Sequence, residues 1–456
     1  MSRASAGWSQ RAATRVLGLV LRASRALRCK LTPAGRLAGA LLVASAVLGL
    51  DTRETLIYQL FGLTLGLLVV AAAASARFRP RIAVSRTLPR SASAGVAFDY
   101  SLTVRNVGHA PHAALEVEDL LAAPLPSALE FFAFKRRADR RLSPFGRLFW
   151  YPPFARLARI TRGAAIETGV VEHLAPSSER TLRLRCVPLR RGLLTFEAVR
   201  VGRPEPLGLM RAQHREALPE ALLVVPPVHR IAPLALPGAR RLQPGGVSFA
   251  GHVGDAEEFI GLRDFRPGDT PRKIHWKAWA RTGRIVVKEH QEEFFVRHAL
   301  VLDTCAVGDA PRLEAGVSLA ASYVMMPRSP ESLLDLMFVE DRAYAFTQGR
   351  GVGSAMGLLR VLALVQASPH GSFARLAEAV LRDAGRLSGG ICVLLDWDEP
   401  RRRLVAELRA RGVPLRVWLV RGDEQSNEVD PGPMRTDPGN LRIVRPDNLA
   451  QVLSQP

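Results

Sequence analysis

Cysteine is scarce. Cys29, Cys186, Cys305 and Cys392 are spread over 456 residues, with no Cys-x-x-Cys pair and no His/Cys cluster at zinc spacing, which excludes a metal knuckle and a disulfide framework. The last three lie in apolar, strand-like runs and read as small buried hydrophobes, a pattern suited to a reducing compartment. No Gly-x-x-x-x-Gly-Lys-Ser/Thr loop occurs, so any use of ATP must come in trans. Gly-x-Ser-x-Gly and His-Glu-x-x-His are missing as well, leaving no recognised hydrolase constellation. Acidic residues are absent from positions 1–50, although the chain as a whole holds 42 of them.

What is present in that N-terminal stretch is basic: Arg3, Arg11, Arg15, Arg22, Arg25, Arg28, Lys30 and Arg36. Arg77, Arg79, Arg81, Arg86 and Arg90 follow at 77–98, again with no acid. More than half of the net charge of +21 therefore flanks one hydrophobic region. A high positive charge ordinarily raises nucleic-acid binding, but its placement matters more than its sum.

The region between the two basic clusters holds an uncharged run at 37–50, extended by 31–35 and a snorkelling Arg36, and a second at 56–76. The second suffices for ~30 Å of hydrocarbon at ~1.5 Å per residue. Only Asp51, Thr52, Arg53, Glu54 and Thr55 separate them, so 31–76 is expected to form a transmembrane helical hairpin. Basic residues on both flanks place both ends, and everything beyond residue 77, on the cytoplasmic side of the membrane, with the short loop outside. The competing reading is a signal peptide cleaved near Ala44-Ser45-Ala46. Residues 1–30 form a basic segment, either an amphipathic helix on anionic headgroups or a disordered tail.

From about 80 to 228 the hydrophobic period becomes alternating. The runs starting at Phe98, Ala114, Thr181 and Leu194 read as half-buried strands, with turns at Asn106-Val107-Gly108 and Arg191-Gly192, so an antiparallel β-sandwich is expected. Within it, 131–162 interleaves Phe131, Phe132, Phe134, Phe145, Phe149, Trp150, Tyr151 and Phe154 with arginines and Lys135. Such mixing suits single-stranded nucleic acid or a membrane interface. Equally, it suits a long hairpin whose rings cover the sandwich core.

Between 298 and 453, continuous apolar strands alternate with helical stretches, the pattern of a mostly parallel doubly wound sheet. Ligands on such sheets bind at the carboxyl ends of the strands, and Asp303 and Asp396 each close a strand on that edge. Upstream, Arg266-Pro267-Gly268-Asp269 reads as a turn, Thr270 as an N-cap before Pro271, and Thr282-Gly283 as the stop of a short basic helix.

Phe265, Arg266, Pro267, Gly268, Asp269, Arg272, Ile274, His275, Trp276, Lys277, Ala280 and Arg281 together resemble the signature of the bacterial domain of unknown function 58 family. Arg190-Arg191-Gly192 and Pro206-Leu207-Gly208 resemble that family too. The resemblance implies a membrane-anchored protein whose C-terminal half, here 240–456 with the signature, has a von Willebrand factor A-like fold. It also implies a protein partner, an AAA+ ATPase of the MoxR type. That fold places a metal site at Asp-x-Ser-x-Ser, a distant Thr and a later Asp. Here the motif reads Asp303-Thr304-Cys305-Ala306-Val307, with both serines replaced. Asp396 or Asp398 stands for the later acid and Ser354 for the Thr. Magnesium at Asp303 and Asp396 is conceivable but ill served, because a thiol and a Val side chain do not replace two hydroxyls.

The expectation is thus a multidomain α/β and all-β chain: a transmembrane helical hairpin, a β-sandwich, and a von Willebrand factor A-like doubly wound domain. Its function is that of a non-enzymatic scaffold that binds a partner through Arg266, Asp269, Arg272, His275, Trp276, Lys277 and Arg281. The lipid bilayer and an AAA+ ATPase are its partners, in assembly or maturation of protein complexes. The alternatives are nucleic-acid or lipid binding through 131–162, and a hydrolase built from Cys305 or His275 with Asp269 or Asp303. Asp269 with Arg272 is the expected ion pair of the turn.

Overall fold

The computed structural model describes residues 8–48, 55–122, 124–140, 150–231, 241–242, 259–267, 269, 271, 274–290, 294–305, 310–327, 332–349, 353–368, 372–422 and 429–454. The chain divides into two compact units, Met1–Val225 and Pro226–Pro456.

The first unit opens with three helices: α1 (Trp8–Lys30), α2 (Pro33–Leu48) and α3 (Thr55–Ala76). Their sequences explain them, since Leu, Ala and Val dominate and the only proline of the three, Pro33, stands at a first helical position. α2 and α3 are in contact, and Ser45, Thr64 and Ala71 are buried on them. α3 is long and apolar enough to cross a membrane over Leu56–Ala76. α2 is apolar but shorter, and the connection at 51–54 lies outside the described residues.

The strands that follow are β1 (Ile82–Thr87), β2 (Ala92–Ser93), β3 (Phe98–Asn106) and β4 (His112–Leu121). Two helices, α4 (Ala128–Arg140) and α5 (Tyr151–Thr161), interrupt them before β5 (Ala164–Ile166), β6 (Gly169–Leu174), β7 (Glu179–Pro188), β8 (Gly192–Pro204) and β9 (Arg211–Val225). One sheet runs β1-β3-β7-β5 and the other β2-β9-β8-β4-β6. All pairings are antiparallel except β2 with β9. Both sheets supply one buried cluster, with Tyr100, Leu102 and Val104 from the first and Val117, Phe196 and Val201 from the second. The period-2 alternation read in the sequence is the inward face of these strands.

Of the 131–162 insertion, 131–140 and 151–161 are helical, in α4 and α5, and the buried rings there pack with α1 and not over the core between the two sheets. Ser127 caps α4 with Glu130 three residues on, a reciprocal pair that starts a helix. Phe131 and Phe154 are buried with Leu21 of α1 and Ala158, so rings and aliphatic groups of α1, α4 and α5 close a separate small core. Phe145 and Phe149 lie outside the described residues.

The second unit contains β10 (Arg241–Leu242), β11 (Phe259–Asp264), α6 (Trp276–Thr282), β12 (Val286–His290), β13 (Phe294–Phe295), β14 (Arg297–Leu302), α7 (Ala310–Met325), β15 (Leu333–Val339) and β16 (Ala343–Gln348). α8 (Ala355–Leu364), α9 (Phe373–Asp383), β17 (Gly389–Leu394), α10 (Glu399–Ala410), β18 (Leu415–Val420), β19 (Leu441–Val444) and α11 (Leu449–Ser454) complete it. The six-stranded sheet has the order β16-β15-β14-β17-β18-β19. Its pairs are parallel except β15 with the edge strand β16.

β15 and β17 are buried at every residue, as strands covered on both faces must be. Leu376 of α9 and Leu404 of α10 pack with Val417 and Leu419 on one face. On the other, Trp418 donates from Nε1 to the Tyr323 hydroxyl of α7 at 2.8 Å.

Candidate functional site

β11 and β12 form an antiparallel pair, Leu262 opposite Lys288 and Asp264 opposite Val286, joined through a turn and α6. The turn is closed by Asp269. Its carboxylate takes Nη1 and Nη2 of Arg263 at 2.7 Å each and the Arg266 N–H at 2.8 Å. Chiefly because of the Arg263 guanidinium, and then the Arg266 amide, the Asp269 carboxyl is held down at about 2. The expected partner, Arg272, lies outside the described residues, and the ion pair that fixes the turn is with Arg263. Arg263 missed attention because it precedes the turn, inside a strand.

Thr270 lies outside the described residues; Pro271 stands in a 3-10 turn, its carbonyl accepting the Ile274 N–H at 3.2 Å, and α6 itself starts at Trp276. His275, expected inside it, is the N-cap of α6, its Nδ1 accepting the Ala278 N–H at 3.0 Å. The His275 N–H donates to Val286 O at 2.9 Å, stitching the cap to β12. Such a cap satisfies one of the donors a helix start leaves open. At the other end Gly283 takes a left-handed conformation (φ 70°) and returns its N–H to Trp279 O, the stop expected from Thr282-Gly283.

Between these fixed ends, the helix shows its large side chains to solvent. Trp276 is 56% and Trp279 37% exposed, with ring centroids 5.3 Å apart. Arg266, Lys277 and Arg281 are exposed too, as are Leu262, Phe265 and Ile285. Arg266, Asp269, His275, Trp276, Lys277 and Arg281 thus share one short turn-helix element. Asp269 and His275 hold it together, while the tryptophans and cations face outward.

At the carboxyl edge of the parallel sheet, Asp303 is fully buried. It accepts the N–H groups of Cys305 at 2.9 Å and Leu395 at 3.0 Å, and Nε of Arg401 at 2.7 Å. Arg401 also reaches Asp398 at 2.6 Å and lies 4.6 Å over the Phe373 ring. Asp398 caps α10, and Ser354 caps α8, its hydroxyl accepting the Gly357 N–H at 3.0 Å. Asp396 takes its neighbour's Trp397 N–H at 2.8 Å.

These residues do not fit a magnesium ion. A guanidinium already neutralises the Asp303 carboxylate, and Asp396 and Ser354 are turned to backbone donors. Among the described residues no group of three or more His, Cys, Asp or Glu side chains is placed to hold a metal. Ala306 and Val307 lie outside the described residues. Arg401 was missed because a basic residue in the first turn of a charged helix reads as a solvated one.

Burial, then the neighbouring Asp303 carboxylate, pushes the Cys305 thiol up to about 11. It is therefore protonated at neutral pH and a poor nucleophile. The imidazole and carboxylate considered with it are committed to the helix cap and the turn described above.

No family model matches this chain, and no curated protein does. Solved structures similar to parts of it include proximal thread matrix protein 1 from the mussel byssus, at 9% identity over 35% of this chain and 46% of that one, with a TM-score of 0.28. Another is the CARDB domain of PF1109 from Pyrococcus furiosus, at 11% identity over 32% of this chain and 94% of that one, with a TM-score of 0.17. The chain spans about half the length of the first. At such scores neither likeness bears on fold or function.

Proposed function

We propose that this chain is a membrane-anchored, non-enzymatic docking protein of the domain of unknown function 58 kind. In this reading α2 and α3 form a transmembrane hairpin, the two antiparallel sheets a β-sandwich, and the parallel sheet a von Willebrand factor A-like domain. Both units lie on the cytoplasmic side of a bacterial inner membrane. Its partner is an AAA+ ATPase of the MoxR type, which supplies the nucleotide chemistry this chain has no loop for. The docking surface is α6 with its turn.

One observation carries the reading: Trp276 and Trp279 stand exposed on a helix whose two ends are locked. Tryptophan and arginine are the side chains over-represented among binding hot spots. A rigid element loses little entropy when it docks.

Purification of the detergent-extracted full chain in mild salt tests it. The wild-type chain retains an ATPase. The double substitution Trp276→Ala and Trp279→Ala lowers its recovery at least tenfold, as loss of two hot-spot side chains of about 2 kcal/mol or more each requires. Because both rings are exposed, the melting temperature stays within about 2 °C of wild type. Recovery of the wild-type chain alone contradicts the proposal.

A further inference from the structure

α1 has two apolar faces, and among the described residues only one of them is covered. Thr14, Gly18 and Leu21 are buried; Leu17 and Leu21 pack in the small core with α4 and α5, where Ser24 meets the Tyr151 hydroxyl at 2.8 Å. About 140° around the helix, at 3.6 residues per turn, run Val16, Leu19, Val20, Ala23 and Leu27. Val16, Leu19, Val20 and Leu27 are 47–63% exposed. Along one border of this stripe stand the exposed Arg15 and Arg22. No acid occurs on α1 or α2.

This stripe does not end with the helix. Leu27 and Leu31 face Ala40, Val43 and Val47 of α2 across an open apolar groove of about 730 Å³, with Arg36 on its rim. The turn between the helices is fixed, since Thr32 N–H donates to Leu209 O at 3.1 Å and Leu31 pairs with Met210. The uncovered face of α1 thus runs without a break into a helix that is itself apolar and outward-facing.

We propose that α1 lies in the headgroup layer of an anionic bilayer. Val16, Leu19, Val20 and Leu27 enter the acyl region, Arg15 and Arg22 meet lipid phosphates, and one acyl chain fills the α1–α2 groove beside Arg36. An exposed apolar stripe with a basic border and no acids is what such a surface selects. Docking of its second face on α4 and α5 distinguishes α1 from a free amphipathic peptide, because the bilayer then orients that three-helix cluster. The proposal rests on the membrane reading of α2 and α3 given above.

The test uses the full chain in nanodiscs whose phosphatidylglycerol carries a photoreactive diazirine in its acyl chain, with adducts mapped by peptide mass spectrometry. Adducts are expected on the tryptic segment 16–22 as well as on α3. The double substitution Leu19→Gln and Val20→Gln, at exposed positions outside the α1–α4–α5 core, is expected to cut the 16–22 adducts at least fivefold and leave α3 labelling unchanged. Diazirine-bearing phosphatidylcholine in an otherwise zwitterionic disc is expected to label 16–22 several-fold less. Labelled α3 with unlabelled 16–22, as when a protein partner covers the stripe, overturns the α1 proposal alone. Equal labelling of 16–22 in both lipids overturns its anionic selectivity. Unlabelled α3 overturns the membrane reading itself.

Discussion

Arg401 carries a charge into the interior of the second unit, where its side chain is 7% exposed and that of its partner Asp303 is fully buried. Removing one member of such a pair leaves an uncompensated buried charge at a cost of about 3–5 kcal/mol. Arg401→Ala is therefore expected to lower the melting temperature of this unit by on the order of 10 °C. Asp303→Asn with Arg401→Met, which removes both charges, is expected to recover much of that loss. Thermal scans of the detergent-extracted chain decide it, and an unchanged Arg401→Ala transition contradicts the pairing.

Asp269 gives a prediction in pH. Its carboxyl lies at about 2 against an ordinary 3.8, so the folded turn binds the proton more weakly than the unfolded chain does. The contribution is present above about 4 and is lost as pH falls through about 2. Protection of the Arg266 amide against hydrogen exchange, corrected for the intrinsic rate, should stay constant from pH 7 to about 4 and fade below. Asp269→Asn should abolish it throughout. Fading already between pH 7 and 5 contradicts the ion pair with Arg263.

Among the elements, the junction of α2 with the β8–β9 turn tolerates little change. A Cβ on Gly35 would fall on Leu209 O, and a backbone atom cannot swing aside. Gly35→Ala should cost about 1–3 kcal/mol and free the α1–α2 turn to protease. Gly39→Ala, where a Cβ meets nothing, should be neutral or slightly stabilising. Limited proteolysis of both variants, together with thermal scans, checks the pair, and equal behaviour contradicts the close approach.

The same elements mark what sequence reading reaches. Strands such as Phe98–Asn106 and Leu333–Val339 were legible because their hydrophobic period belongs to the strand itself. The ends of α6 were half legible. Gly283 declares a stop locally, whereas His275 caps the helix only because β12 returns to accept its N–H, a pairing made at a distance. The fold of 131–162 was not legible. Its rings answer to Leu21, more than a hundred residues upstream, and no window around them contains that partner. Arg401 with Asp303 was missed for the same reason, being 98 residues apart, whereas Arg263 and Asp269 are only six apart and were missed because an arginine inside a strand does not declare a partner in the turn that follows.

For the whole molecule, more than half of the charge of +21 flanks α2 and α3, of which α3 is long and apolar enough to cross a membrane. In the second unit, among the described residues, the buried acids Asp303 and Asp335 pair with arginine, and Trp276 of α6, at 56%, is nearly as exposed as Leu364 of α8, at 57%. Docking through α6 is open to photo-crosslinking in native membranes from a reactive residue placed at Trp276. Adducts to a second polypeptide with an ATPase domain are expected, and are lost when Trp279 is also changed to Ala. Crosslinks confined to this chain itself would contradict it.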